Sequence, residues 1–102
     1  MIDLGSKKRK LYFIKLKDGK VLKIKMPTRS MLVDLINFRN MDTDNDLEIM
    51  EELYDFMLKI FNRNENDRVF TVEEIEDMFD DINLAIYVLK NYLEFALNKL
   101  GE

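Results

Sequence analysis

The apolar residues of this chain change period once, at its only proline. From Leu11 to Met26 they alternate around Asp18-Gly19, and beyond Pro27 they recur at helical spacing as far as Leu100. Alternation about an Asp-Gly pair specifies an antiparallel hairpin, whereas spacings of three and four specify helices that pack by one face. The expected fold class is therefore α+β: an N-terminal antiparallel β-hairpin packed on a bundle of about four α-helices. The chain has 102 residues, so one domain with a modest core is expected, burying roughly 60 to 70% of its unfolded surface. The reading is a flexible basic leader over 1–9, a hairpin over 10–26 and a helical body over 28–100.

Parity fixes the hairpin register. A two-residue Asp18-Gly19 loop sets Ile14 opposite Lys23 and Tyr12 opposite Lys25, which buries lysines among aliphatic side chains. A three-residue Lys17-Asp18-Gly19 loop, with the glycine left-handed, sets Ile14 opposite Leu22 and Tyr12 opposite Ile24. One face then reads Tyr12, Ile14, Leu16, Leu22, Ile24 and Met26. The other is a basic face of Lys15, Lys17, Lys23 and Lys25, with Phe13 and Val21 among them.

Pro27 ends the second strand because it has no N–H for a ladder, and Thr28 follows as N-cap of a helix over 29–40. After a polar break from Met41 to Asp46, a second helix over 46–62 gathers Leu47, Ile49, Met50, Leu53, Tyr54, Phe56, Met57, Ile60 and Phe61 on one half. Asn62 to Arg68 reads as a polar loop. In Phe70-Thr71-Val72-Glu73-Glu74-Ile75, Thr71 and Glu74 form a capping box, and Phe70 is placed to staple onto Ile75. The short helix so begun ends near Asp80. A fourth starts with Asp80 or Asp81 as cap and runs to Leu100, with Gly101 as its stop. Its apolar residues cover about 220° at roughly 100° per residue, wider than a surface helix needs. Either this helix is central, or one edge faces another chain. The edge residues are Leu84, Val88 and Phe95 on one side, and Ile86, Leu93 and Leu97 on the other.

The charge is divided. Residues 1–29 hold ten Lys/Arg and two Asp, a balance of +8; residues 30–102 hold six Lys/Arg and eighteen Asp/Glu, a balance of −12; the sum is −4. A basic hairpin joined to an acidic body suits docking on charged protein partners. The chain has no Cys and no His, two serines (Ser6 and Ser30) and three scattered glycines, so triads, thiolate sites, nucleophile elbows and phosphate loops have no residues to build them. No enzyme and no cofactor are expected. The absence of cysteine suits a reducing interior, no stretch reaches the roughly eighteen apolar residues of a membrane span, and a cytoplasmic location is expected.

Three patterns have a bland and a sharp reading. Asp42-Thr43-Asp44-Asn45-Asp46 opens like a calcium loop, yet Leu47 stands where the sharp turn needs glycine and Leu53 where a bidentate glutamate is needed, so an acidic helix cap is the better reading. Lys7-Lys8-Arg9-Lys10 and the lysine face, with Tyr12 and Phe13 interleaved, could follow a phosphate backbone, but the acidic body opposes nucleic acid. Met31, Met50, Met57 and Met78 fall at core spacing; methionine also suits surfaces that receive varied partners.

The hairpin Leu11-Tyr12-Phe13-Ile14-Lys15-Leu16-Lys17-Asp18-Gly19-Lys20-Val21, the entry Met26-Pro27-Thr28, and Phe70-Thr71-Val72-Glu73-Glu74-Ile75 leading to a final apolar helix together touch most of the chain. In this order they resemble the tail assembly chaperones of long-tailed siphophages and of related prophages in Gram-positive bacteria. The resemblance implies a non-catalytic cytoplasmic protein, absent from the finished virion, that keeps the tape measure protein soluble and helps recruit tail tube subunits. It also implies self-association, and in many members a longer frameshifted form. On this reading a groove lined by the second and fourth helices receives an apolar stripe of the partner. The rival readings are a small phage-encoded nucleic-acid-binding regulator and a structural head–tail connector protein.

Overall fold

A computed structural model of the chain describes residues 11–40 and 45–100. Two strands, β1 (Leu11–Lys15) and β2 (Val21–Lys25), are followed by four helices: α1 (Arg29–Arg39), α2 (Asp46–Phe61), α3 (Val72–Met78) and α4 (Ile82–Leu100). The fold is α+β, as the change of period predicts. The basic leader, the acidic residues Asp42 and Asp44, and the Gly101 stop lie outside the described residues.

The hairpin takes the register that parity selects. Tyr12 lies opposite Ile24, Ile14 opposite Leu22 and Lys15 opposite Val21. The Leu16 N–H donates to the Lys20 carbonyl at 2.8 Å and the Gly19 N–H to the Leu16 carbonyl at 2.9 Å, which closes a three-residue loop. Gly19 has φ +88°, and a Cβ built there meets no atom within 4 Å. The need for glycine is thus purely conformational. Leu22 and Ile24 are buried, with Tyr12, Ile14 and Leu16 packed beside them.

The outer edge of β2 is closed by the segment between α2 and α3, which the sequence presents only as a polar loop. The Lys25 N–H donates to the Arg63 carbonyl at 2.9 Å, and the Glu65 N–H to the Lys23 carbonyl at 2.8 Å. The Lys23 N–H reaches Asn66 Oδ1 at 3.0 Å. This segment therefore acts as a short third strand. It is held in shape by Asn64, a buried polar side chain whose amide donates to the Phe61 and Arg68 carbonyls, each at 2.7 Å. Its Oδ1 accepts from the N–H groups of Asn66 and Arg68. Asp67 has φ 56°, a left-handed conformation that aspartate tolerates better than most residues.

Helix boundaries follow local chemistry. Thr28 caps α1 and Asn45 caps α2 through their side-chain oxygens. Thr71 and Glu74 form both halves of the capping box on α3. Asp81 accepts from the Asn83 N–H at 2.9 Å at the start of α4. Phe70 and Ile75 are both buried in the common core. Helix α2 contributes Leu53, Phe56, Met57, Ile60 and Phe61 to that core, while Leu47 and Met50 in its first turns remain exposed. Of the other core-spaced methionines, Met57 is fully buried and Met31 and Met78 lie half-buried against the core.

Two substitutions test these devices by urea unfolding. Gly19→Ala should cost about 1 kcal/mol, the usual penalty for forcing a Cβ into a left-handed turn. Asn64→Ala should cost about 2–3 kcal/mol by stranding buried backbone groups, and should release the Lys23 and Lys25 amides to hydrogen exchange together.

Candidate functional site

The wide apolar arc of α4 is largely used within the chain itself. On one side the hairpin covers it. The Tyr12 ring meets Tyr92 edge-on at 5.3 Å and Phe95 at 5.4 Å, and the Tyr12 hydroxyl donates to Asn91 Oδ1 at 2.6 Å. The Tyr92 hydroxyl donates to the Lys25 carbonyl at 2.7 Å. On the other side α1 and α2 approach. Most of the arc is thus covered by the chain's own hairpin and helices, and Leu84 is its exposed member among the described residues.

This placement sorts the edge residues. Val88 and Leu93 are 7% and 5% exposed, so they are interior side chains and not the surface contacts that helical spacing suggests. Ile86, Phe95 and Leu97 are half-buried. Leu84 is exposed at 42%, and Tyr87, three residues on and so on the same side of the helix, is exposed at 67%. Tyr87 is not among the edge residues named from the spacing, because a tyrosine's hydroxyl lets it stand on a polar face.

Helices α1, α2 and α4 leave a groove of about 220 Å³ between them. Leu35, Leu53, Leu89 and Leu93 form its floor, with Phe38, Ile49 and Ile86 as walls. Arg39 and Lys90 stand at its mouth. Residues 30–102 carry only six Lys/Arg, and two of them flank this apolar opening. Its volume is below the roughly 300 Å³ at which pockets for drug-sized ligands begin. The groove is thus sized for a few side chains, and the two cations make its mouth positive within an otherwise acidic body.

Other concavities are more polar or more open. Asp34, Asn37, Glu52, Asp55 and Lys59 line a cleft of about 470 Å³ between α1 and α2, above Phe38 and Phe56. Lys59 and Asp55 are paired there at 3.1 Å. Met50, Tyr54 and Phe79 form an apolar floor rimmed by Glu51, Glu76 and Asp80. Among the described residues no group of three or more metal-ligating side chains could hold an ion, and no helix is long and apolar enough to cross a membrane.

The basic face is largely as expected. Lys15, Lys17 and Lys23 are exposed, whereas Lys25, beneath which Tyr92 docks, is half-buried. Phe13 is 60% exposed at the centre of this face, opposite Lys23, and Val21 is 46% exposed opposite Lys15.

Three tyrosines have phenol pKa values above the ordinary range. Burial raises Tyr92, and the nearby Arg63 guanidinium only partly opposes it. Burial raises Tyr12, assisted by Tyr87. Burial and then the charges of Glu76, Asp80 and Asp81 raise Tyr54, whose hydroxyl donates to the Phe79 carbonyl. In each case the fold favours the neutral phenol. The stabilisation is complete below the unfolded pKa of about 10 and is lost as pH rises through the folded value. Stability should therefore fall above about pH 10. Tyr92→Phe should lose about 1 kcal/mol at neutral pH and show a smaller alkaline decline, both measured by urea unfolding at stepped pH. No protein-family model matches the chain, and no curated protein or solved structure does either.

Proposed function

We propose that this chain is a non-catalytic protein-binding module that serves as a tail assembly chaperone of a siphophage or prophage. In this role it works in the host cytoplasm, holds an apolar helical stretch of the tape measure protein and helps bring tail tube subunits to it. The supporting observation is the apolar groove between α1, α2 and α4 with Arg39 and Lys90 at its mouth. An amphipathic helix could lay one ridge of apolar side chains against Ile49 and Ile86, with acidic neighbours meeting the two cations. The acidic residues of the body would keep the loaded complex soluble.

A second reading draws on a different observation. Phe13 exposed among Lys15 and Lys23 is the pattern of a single-strand stacking surface, and it supports a small nucleic-acid-binding regulator. The net charge of −12 on residues 30–102 weighs against it. Titration with single-stranded and duplex oligonucleotides at low salt separates the two readings; no binding of either ends the second.

The primary test is to search the gene neighbourhood for a large helical tape-measure-like frame and to co-express its product with this chain. The chaperone should raise the soluble fraction of that protein and be missing from purified particles, where a head–tail connector would remain. Ile49→Glu and Ile86→Glu should each weaken the complex roughly 30-fold, the scale of an interface hot spot, while circular dichroism shows the helices intact. Unchanged capture by both variants would remove the groove from the mechanism.

A further inference from the structure

The two edges of the hairpin have different fates. With Ile14 opposite Leu22 and Tyr12 opposite Ile24 as the hydrogen-bonded pairs, the N–H and C=O groups of alternate residues point away from the hairpin on both sides. On the β2 side these groups are satisfied: Lys23 and Lys25 bond to Arg63, Glu65 and Asn66, and Val21 accepts from the Asn66 amide at 3.3 Å. On the β1 side the outward groups belong to Leu11, Phe13 and Lys15. Among the described residues nothing pairs with them.

A groove of about 290 Å³ runs beside this edge, floored by Ile14, Met78, Leu84 and Val88 and bordered by Tyr87, Lys15 and Lys17. Helix α4 thus extends beneath the sheet to where a further strand would lie. Leu84 and Tyr87, both exposed, would underlie that strand.

We propose that the free edge of β1 is a strand-addition site for an extended segment of a partner protein that alternates apolar and acidic residues. Pairing with Leu11–Lys15 would point every second side chain inward, beside Tyr12 and Ile14 and onto Leu84 and Tyr87. The intervening side chains would lie on the outer face, next to Phe13, Lys15 and Lys17, where carboxylates are favoured. Lysines on an edge strand repel like-charged strands, so this edge is selective and not merely closed. A second copy of β1 carries the wrong sign to occupy it, since its own lysines would be brought against these. The surface is separate from the α1–α2–α4 groove, and the inference does not rest on the function proposed above.

The test is an NMR titration of the isotopically labelled full chain with a synthetic nine-residue peptide alternating valine and glutamate, and with its valine–lysine counterpart. The acidic peptide should protect the Phe13 and Lys15 amides from exchange and shift Leu84 and Tyr87, while the basic peptide should not bind. Lys15→Glu combined with Lys17→Glu, both at exposed positions, should weaken the acidic peptide at least tenfold. Phe13→Pro removes an outward N–H that the β1–β2 ladder does not use, and should abolish binding while Lys23 and Lys25 keep their bonds to the third segment. Should that variant unfold the hairpin, the charge variants carry the test alone. Absence of binding up to about 1 mM, equal binding of the basic peptide, shifts confined to the α1–α2–α4 groove, or a dimer that protects the same amides without peptide would each overturn the proposal.

Discussion

The hairpin stands because the chain between α2 and α3 hydrogen-bonds to its outer edge. Two strands alone are marginal in water. Here β2 receives a third partner through Arg63, Glu65 and Asn66, and the Arg63 guanidinium also donates to the Met26 carbonyl from Nε at 3.1 Å and Nη2 at 2.7 Å. Asn64 holds that partner in shape from within, and Asn62 does the same further along by bonding to both the N–H and the carbonyl of Phe70. Of three asparagines at alternate positions, Asn62 and Asn64 shape the segment and Asn66 extends its backbone bonds to β2. The sheet is fixed to the helices, and the lysine face acquires a rigid support.

Helix α4 then serves as the common floor. Its Tyr12-facing side receives the hairpin, and its Leu89-facing side receives α1 and α2. Tyr92, fully buried, belongs to both the aromatic contact and the hydrogen bond to Lys25, so the ring contributes packing and direction at once. Two surfaces are left over from this arrangement. One is apolar and lies among helices; the other is an unused strand edge beside lysines. They differ in geometry: the first is a concavity between helix faces, and the second is a row of backbone N–H and C=O groups that nothing among the described residues pairs with.

Much of the fold was legible in the sequence. Hairpin register followed from the cost of burying Lys23 and Lys25, and the cap at Thr71 followed from the spacing to Glu74; both are local arguments, and the structure agrees with them. The joining of residues 63–66 to β2 was not legible. Asparagine side chains bonding to backbone have no period, and the strand that Asn66 meets lies far off in the chain, Lys23 at a separation of 43. The width of the α4 arc was read correctly, but its cause could not be, because spacing reports how much surface is apolar and not what covers it. That is why spacing puts Val88 on one edge with Leu84 and Leu93 on the other with Ile86, although Val88 and Leu93 are both buried.

Helix α1 buries a single side chain fully, Leu35, whereas α2 buries five. Its attachment to the rest depends heavily on the junction at Met26 and Pro27, which Arg63 grips from the loop side. Local opening begins where the fewest apolar contacts must be broken. The wall of the groove that carries Phe38 is therefore its least anchored side, held around that one leucine by the half-buried Met31, Leu32, Ile36 and Phe38, with the Phe38 ring against Phe56 at 5.4 Å.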